Sequence, residues 1–352
     1  MLRIAMAMVV PEFAGQAVRT AAWGQAAFAN PIYRGADPWV TRAGEYYYYC
    51  QSGAGGRIEV WKSQTLTHRG QRATVWQPPQ TGWNRDQIWS PELHFVRGHW
   101  YIYYAASDGE NRHHRMGVLR AMSDDPQGAY VDGDPLYTGD DINRRTDNRW
   151  AIDGSVLDLD DQLYFIWSGW EAEQDVQHLY IAPMSEPCEV SGSRVRLCAN
   201  DTFLWERVGE DESQRGLHEG PTPILRGDKL MLVYSCSGSW QASYKLGMLW
   251  MERGADPLEE TSWNKWPRPV FGASEDVYGV GHCCFTKSPD QSEDWILYHS
   301  KLRRREGWDR LVRAQPFIWR KDGFPYFGRP VSSGTPLPLP AGQKPEALPR
   351  AA

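Results

Sequence analysis

The chain has 352 residues, 41% of them hydrophobic, enough for one large β unit or two smaller domains. It carries 38 basic against 44 acidic residues, a net charge of −6 with no basic run, which argues against nucleic acid or an anionic membrane as a partner. No segment approaches the ~18 apolar residues of a membrane span.

In chain order, Met1 to Val10 hold one basic residue and a short apolar stretch that stops at Pro11-Glu12. Residues 1–28 read as a tail or weak leader, which favours an intracellular or periplasmic place over secretion. Five strand-like runs follow, each a turn residue or charge and then aromatic and aliphatic residues: 44–49, 98–104, 161–167, 228–234 and 293–298. Their markers Tyr46, Trp100, Leu163, Leu230 and Trp295 are 54, 63, 67 and 65 residues apart. A second strand-like run comes after each, at 58–61, 116–119, 179–182, 246–249 and 311–314. Several strands per repeat at this period predict propeller blades, and no long helical period competes. The expectation is an all-β, five-bladed propeller over residues 29–331, with a Pro-rich tail at 332–352 and no room for a second domain.

The six cysteines lack zinc-ligand spacing. Cys188 and Cys198 could bracket a hairpin loop as a disulfide, and the others read as buried thiols. Cys283 and Cys284 are neighbours in a strand, so their side chains should face opposite ways. Most of the 18 tryptophans belong to the core, with a few left to stack on sugar faces in a cleft.

Upstream of every marker stands one polar group: Asp37 by 9 residues, Glu92 by 8, Asp153 by 10, Glu219 by 11 and His282 by 13. The innermost strand of each blade lines the propeller's axis, so these five should ring one end of it. Three of them sit in short acidic phrases, Gly35-Ala36-Asp37-Pro38, Ile152-Asp153-Gly154-Ser155 and His218-Glu219-Gly220-Pro221. Carboxyls converging on one point supply the acid, base and tuning group that glycosidic hydrolysis needs.

These phrases, with Trp89-Ser90-Pro91-Glu92 and Gly279-Val280-Gly281-His282-Cys283-Cys284-Phe285, resemble family-43 glycoside hydrolases in order, over roughly residues 29–330. The stretch from Leu232 to Trp240 makes the resemblance nearest to exo-acting α-L-arabinofuranosidases. The resemblance implies a five-bladed propeller, inversion, and a substrate of arabinan, arabinoxylan or their oligosaccharides. β-Xylosidase or endo-arabinanase activity on the same fold, and a non-catalytic sugar-binding propeller, are the alternatives. Asp37 matches the general base, Glu219 the general acid, and Asp153 the carboxylate that tunes and orients the acid.

His282 matches an axial histidine that in relatives lies near a central metal ion or water. That leaves room for a calcium ion held through water, although no cofactor is required. The resemblance's usual Asn-Ser after this histidine is Cys283-Cys284 here. Glu92 either accepts hydrogen bonds from sugar hydroxyls or caps a turn. Trp89 and Trp39 are candidate stacking surfaces, with core packing the other reading for Trp39. Arg313 binds a sugar hydroxyl or holds a carboxylate in the last blade.

Overall fold

The computed structural model describes residues 3–4, 18–173 and 175–345. The chain folds as a five-bladed β-propeller of antiparallel meanders. Blade one comprises Trp39–Ala43, Tyr46–Ser52, Ile58–Ser63 and Gln71–Trp76, and blade two Asp86–Val96, His99–Ser107, Arg115–Ala121 and Tyr130–Asp132. Blade three is built on Ala151–Leu159, Gln162–Trp170 and Gln177–Glu186, blade four on His218–Arg226, Lys229–Cys236 and Lys245–Glu252. Blade five has Gly281–Lys287, Asp294–Lys301 and Arg310–Trp319. The hairpin turns are short. Arg97-Gly98 and Asp160-Asp161 both have positive φ at each residue, which matches the twist of the strands they join.

Each blade is covered on both faces by its neighbours, so its middle strands must be apolar throughout rather than alternating. His99–Ser107, for example, is buried at every position after the first. This is why the repeat shows in the sequence as unbroken aromatic runs. The core is divided accordingly. Tyr48 and Ile102 belong to a cluster between blades one and two, Tyr103 and Phe165 to one between two and three, and Leu179 and Leu232 to one between three and four. Val233 and Ile296 mark the interface of four with five, and Tyr47 with Leu297 that of five with one. Each large side chain buried there contributes about 1.5–3 kcal/mol. Cys283 and Cys284 point into different interfaces, one towards blade four and one towards blade one.

The ring is closed by chain from outside the meanders. Tyr33–Arg34 pairs with the third strand of blade five through Val312 and Leu311. The Asn30 side chain donates to the carbonyl of Ala314 and accepts from its N–H. The two segments expected to be tails meet each other: Ala27–Ala29 pairs antiparallel with Pro336–Pro338. The sequence hides this because the strands are three residues long and rich in Ala and Pro. Cys188 and Cys198 are both free, so no disulfide brackets the loop; Cys188 is exposed, whereas buried Cys198 lies 3.6 Å from His218 Nδ1. Among the described residues no helix is long and apolar enough to cross a membrane.

Candidate active site

One backbone device recurs at the start of every inner strand. Asp37, Ser90, Asp153, Gly220 and His282 all have positive φ, between 44° and 54°. In blades two to five the ladder is interrupted at this place, between Trp89 and Glu92, Ile152 and Ser155, Glu219 and Thr222, and Gly281 and Cys283. The bulge turns one side chain per blade towards the end of the axis. For the four non-glycine residues the conformation costs about 1–3 kcal/mol each, strain of the kind that clusters at functional sites. Gly154 follows from close approach: a Cβ there would meet the Phe165 ring at 2.2 Å. Gly220 takes the positive φ in blade four, which leaves Glu219, one residue earlier, to point into the site.

The bulges of blades three to five and the positive-φ turn at Asp37 in blade one bring Asp37, Asp153, Glu219 and His282 to one cavity of about 540 Å³ at the end of the axis. Asp37 Oδ1 lies 3.4 Å from His282 Nδ1, 3.2 Å from His299 Nδ1 and 3.4 Å from an Arg310 guanidinium nitrogen. Asp153 Oδ2 accepts the Gly220 N–H at 3.1 Å and stands 3.8 Å from His282 Nδ1. Glu219 Oε2 accepts from the Gln177 side-chain amide at 3.0 Å. His282 is fixed through its backbone N–H, which donates to Ser235 Oγ at 2.7 Å.

These surroundings separate the carboxyls electrically. Burial alone would raise Asp37, but the His282 charge, the His299 contact and Arg310 outweigh it and hold the group well below the usual carboxylate range. Burial and the neighbouring Asp153 charge push Glu219 up to about 7. Asp153 is itself raised by burial, against the pull of His282 and a hydrogen bond from Ser90. Asp153 also feels the Asp37 and Glu92 charges; of the pair, Glu219 is the member pushed up to about 7, by burial and the Asp153 charge, and so the one that holds a proton. His282 is raised by Asp37 and Asp153 in spite of its burial, whereas burial and Arg310 lower His299 to about 4. His282 Nδ1 stands between the Asp37 and Asp153 carboxyls. Among the described residues no group of three or more His, Cys, Asp or Glu side chains is spaced to hold a metal.

Trp89 lines the cavity, its face stacked on His114 at 3.9 Å. Three other expected binding residues lie elsewhere. Glu92 is not in the ring: Ser90 holds that register, and Glu92 sits two residues further along the strand, buried and 2.8 Å from His94 Nε2. Trp39 packs on His94 at 4.7 Å and donates its indole N–H to the Leu93 carbonyl, in a separate cavity lined also by Ser155 and Thr222. Arg313 neither reaches the pocket nor holds a carboxylate. It donates to Ser300 Oγ, the Val331 carbonyl and Ser333 Oγ, fastening the C-terminal segment to blade five.

The arginines that line the pocket are Arg215, paired with Asp175, and Arg310, which is an odd number of residues from Arg313 and therefore on the opposite strand face. Sequence reasoning also missed Ser90, Gln177, His299 and the wall tryptophans Trp150, Trp240 and Trp308. The one signal for Arg310 is its place at the end of the strand, opposite Lys301.

Fold and site together define a propeller whose axis ends in a carboxyl-lined pocket suited to acid–base chemistry. The chain belongs to the glycosyl hydrolases family 43, whose model matches residues 28–325. It is 32% identical to an extracellular exo-alpha-(1->5)-L-arabinofuranosidase of Streptomyces avermitilis over 88% of this chain, and spans 65% of that protein's length. An enzyme of the same description from Streptomyces chartreusis is 30% identical over 78% of this chain and 83% of its own. The crystal structure of an alpha-L-arabinofuranosidase from Lactobacillus brevis superposes with a TM-score of 0.79 at 30% identity, covering 87% of this chain and 98% of that one.

Proposed function

We propose that the chain is an inverting, exo-acting glycosidase that releases terminal α-L-arabinofuranosyl residues from arabinan, arabinoxylan or derived oligosaccharides. The observation that carries this reading is two carboxyls in one pocket with opposite surroundings: Asp37 within 3.4 Å of His282, His299 and Arg310 nitrogens, which favour its charged form, and Glu219 buried beside the Asp153 carboxylate, which favours its protonated form. Glu219 gives its proton to the leaving oxygen as the glycosidic bond breaks. A water attacks the anomeric carbon from the other face and loses its proton to Asp37. Asp153 raises and orients the acid. His282 and Arg310 hold Asp37 charged, and Trp89 offers a flat face to the sugar. The names of the relatives support the choice of arabinofuranose over xylose.

Product analysis by NMR on arabinan and arabinoxylan tests the reading. The expected first product is β-L-arabinose, the inverted anomer. Xylose without arabinose, internal cleavage of arabinan, or retention would each reject it, as would a panel of 4-nitrophenyl glycosides on which only the xyloside is cut.

A further inference from the structure

The rim of the pocket carries a feature that hydrolysis itself leaves unused. Residues 302–309 join the second and third strands of blade five and lie against the loop around Trp240. Buried Lys301 staples the two loops, its Nζ donating to the carbonyls of Trp240 at 2.6 Å and Gly307 at 2.5 Å. The Gln241 amide donates to Glu306 at 2.6 Å, and the Gly307 N–H to the Trp240 carbonyl at 3.2 Å. Trp308 therefore stands 5.8 Å from Trp240, lines the pocket, and still exposes 67% of its surface.

Earlier in the same loop, separated from Trp308 by Glu306 and Gly307, come Arg303, Arg304 and Arg305, all exposed. The nearby acids are engaged elsewhere, Glu306 with Gln241 and Asp309 with Arg34. Among the described residues no carboxylate pairs with any of the three guanidinium groups. A chain of net charge −6 thus carries three arginines without a carboxylate partner on the same stapled loop whose Trp308 lines the sugar pocket, with Arg303 and Arg305 around a separate surface cavity on that loop. Free guanidinium forks match carboxylates, and an exposed indole next to them matches the face of a sugar ring. We propose that this rim binds uronate carboxylates on the polymer that bears the arabinofuranosyl group, which makes an acidic, uronate-bearing polysaccharide the preferred substrate over neutral arabinan or xylan. The inference rests on the arabinofuranosidase reading and narrows its substrate.

The test uses the full chain and a triple variant, Arg303→Ser with Arg304→Ser and Arg305→Ser, plus the matching triple Lys variant. Polygalacturonate in a native gel should retard the wild type, retard the Lys variant partly, and leave the Ser variant unmoved; about 0.5 M salt should weaken the effect. On uronate-bearing arabinan the Ser variant's KM should rise about 3- to 10-fold with kcat unchanged, since rim charges act on encounter and binding. Hydrolysis of 4-nitrophenyl α-L-arabinofuranoside should not change. Equal migration or equal KM for wild type and Ser variant overturns the proposal, and equal retention by poly-glutamate overturns the assignment to uronate. If the wild type cleaves no arabinoside at all, the arabinofuranosidase reading has failed, and with it the substrate named here, whatever the gel shows.

Discussion

Glu206 and Glu219 are both buried, at 0% and 8% exposure, and both lie close in sequence to His218, yet their charges go opposite ways. Glu206 Oε1 meets Lys265 Nζ at 2.6 Å, His218 Nε2 at 2.8 Å and the Tyr234 hydroxyl at 2.9 Å, while Oε2 accepts the Phe203 N–H. Burial alone would raise it, but these partners hold it down at about 2. Burial pushes His218 towards its neutral form, so the standing countercharge is the Lys265 ammonium. Glu219 has the Gln177 amide as donor and feels Tyr244, His282 and Arg310, but burial and the charge of its carboxylate neighbour outweigh them, and it goes up to about 7. Depth does not decide the state of a buried acid. The number and charge of its partners do.

The largest expected effect comes from Glu219→Gln. Turnover of natural arabinosides should fall by about 10²–10⁴, with a smaller loss on 4-nitrophenyl substrates, whose leaving group needs less protonation. The stability effect has the opposite sign. A raised folded pKa costs the fold nothing at acid pH; the cost grows as pH rises from the ordinary value of 4.5 towards about 7 and is fully present above that. Glu219→Gln should therefore unfold at a higher temperature than wild type at pH 8, by an amount on the order of 2–3 kcal/mol, and show little difference at acid pH. A variant that loses activity and stability together at pH 8 would undo the comparison.

The Glu206 side should break differently. Lys265→Met leaves Glu206 buried without its cation and should cost about 3–5 kcal/mol in urea unfolding. The double variant Lys265→Met with Glu206→Gln should recover much of that loss, because no unpaired charge stays behind. The lowered pKa of Glu206 also fixes a pH window. Its contribution is present above the unfolded value and fades as pH falls towards about 2. Glu206→Gln should flatten the acid limb of the stability curve below pH ~4.5. Single and double variants of equal stability would show that Lys265 is not the countercharge.

Asp153→Asn acts on the site alone. Removing the charge beside Glu219 lowers the acid's pKa, so the basic limb of kcat/KM should move below pH 7, with a lower rate at neutral pH. An unmoved limb would assign that titration to another group.

How far the sequence carries is clear from where it stops. The blades are legible because strands covered on both faces must be apolar throughout, and Asp37, Asp153 and Glu219 because each sits beside a glycine or proline that the backbone needs. Glu92 fails for a physical reason. Counting back from Trp100 assumes an unbroken ladder, whereas the bulge between Trp89 and Glu92 hands the axial position to Ser90. Arg313 fails by strand parity, since only its opposite-facing neighbour Arg310 looks into the pocket. Trp150, Trp240 and Trp308 come from connections between strands, where no period marks a side chain's direction. Neither Glu206 nor Lys265 shows at all, because the pair forms across 59 residues through tertiary packing.

The smallest test reads the Gln177 amide, a donor to Glu219. The Gln177 amide donates to Glu219 Oε2 at 3.0 Å from a side chain 4% exposed. A donor on a carboxyl oxygen favours the charged form. Gln177→Leu removes it and keeps an apolar side chain of similar size, so Glu219 should become harder to ionise. The basic limb of kcat/KM should then move up by about a few tenths of a pH unit, opposite in sign to the shift from Asp153→Asn. The Asn200 side chain donates to the Gln177 carbonyl, a contact the substitution leaves intact, so the backbone has reason to stay in place. Two shifts of opposite sign on one titration identify Glu219 as the group being read; two shifts of the same sign would mean that the substitutions act through the shape of the pocket.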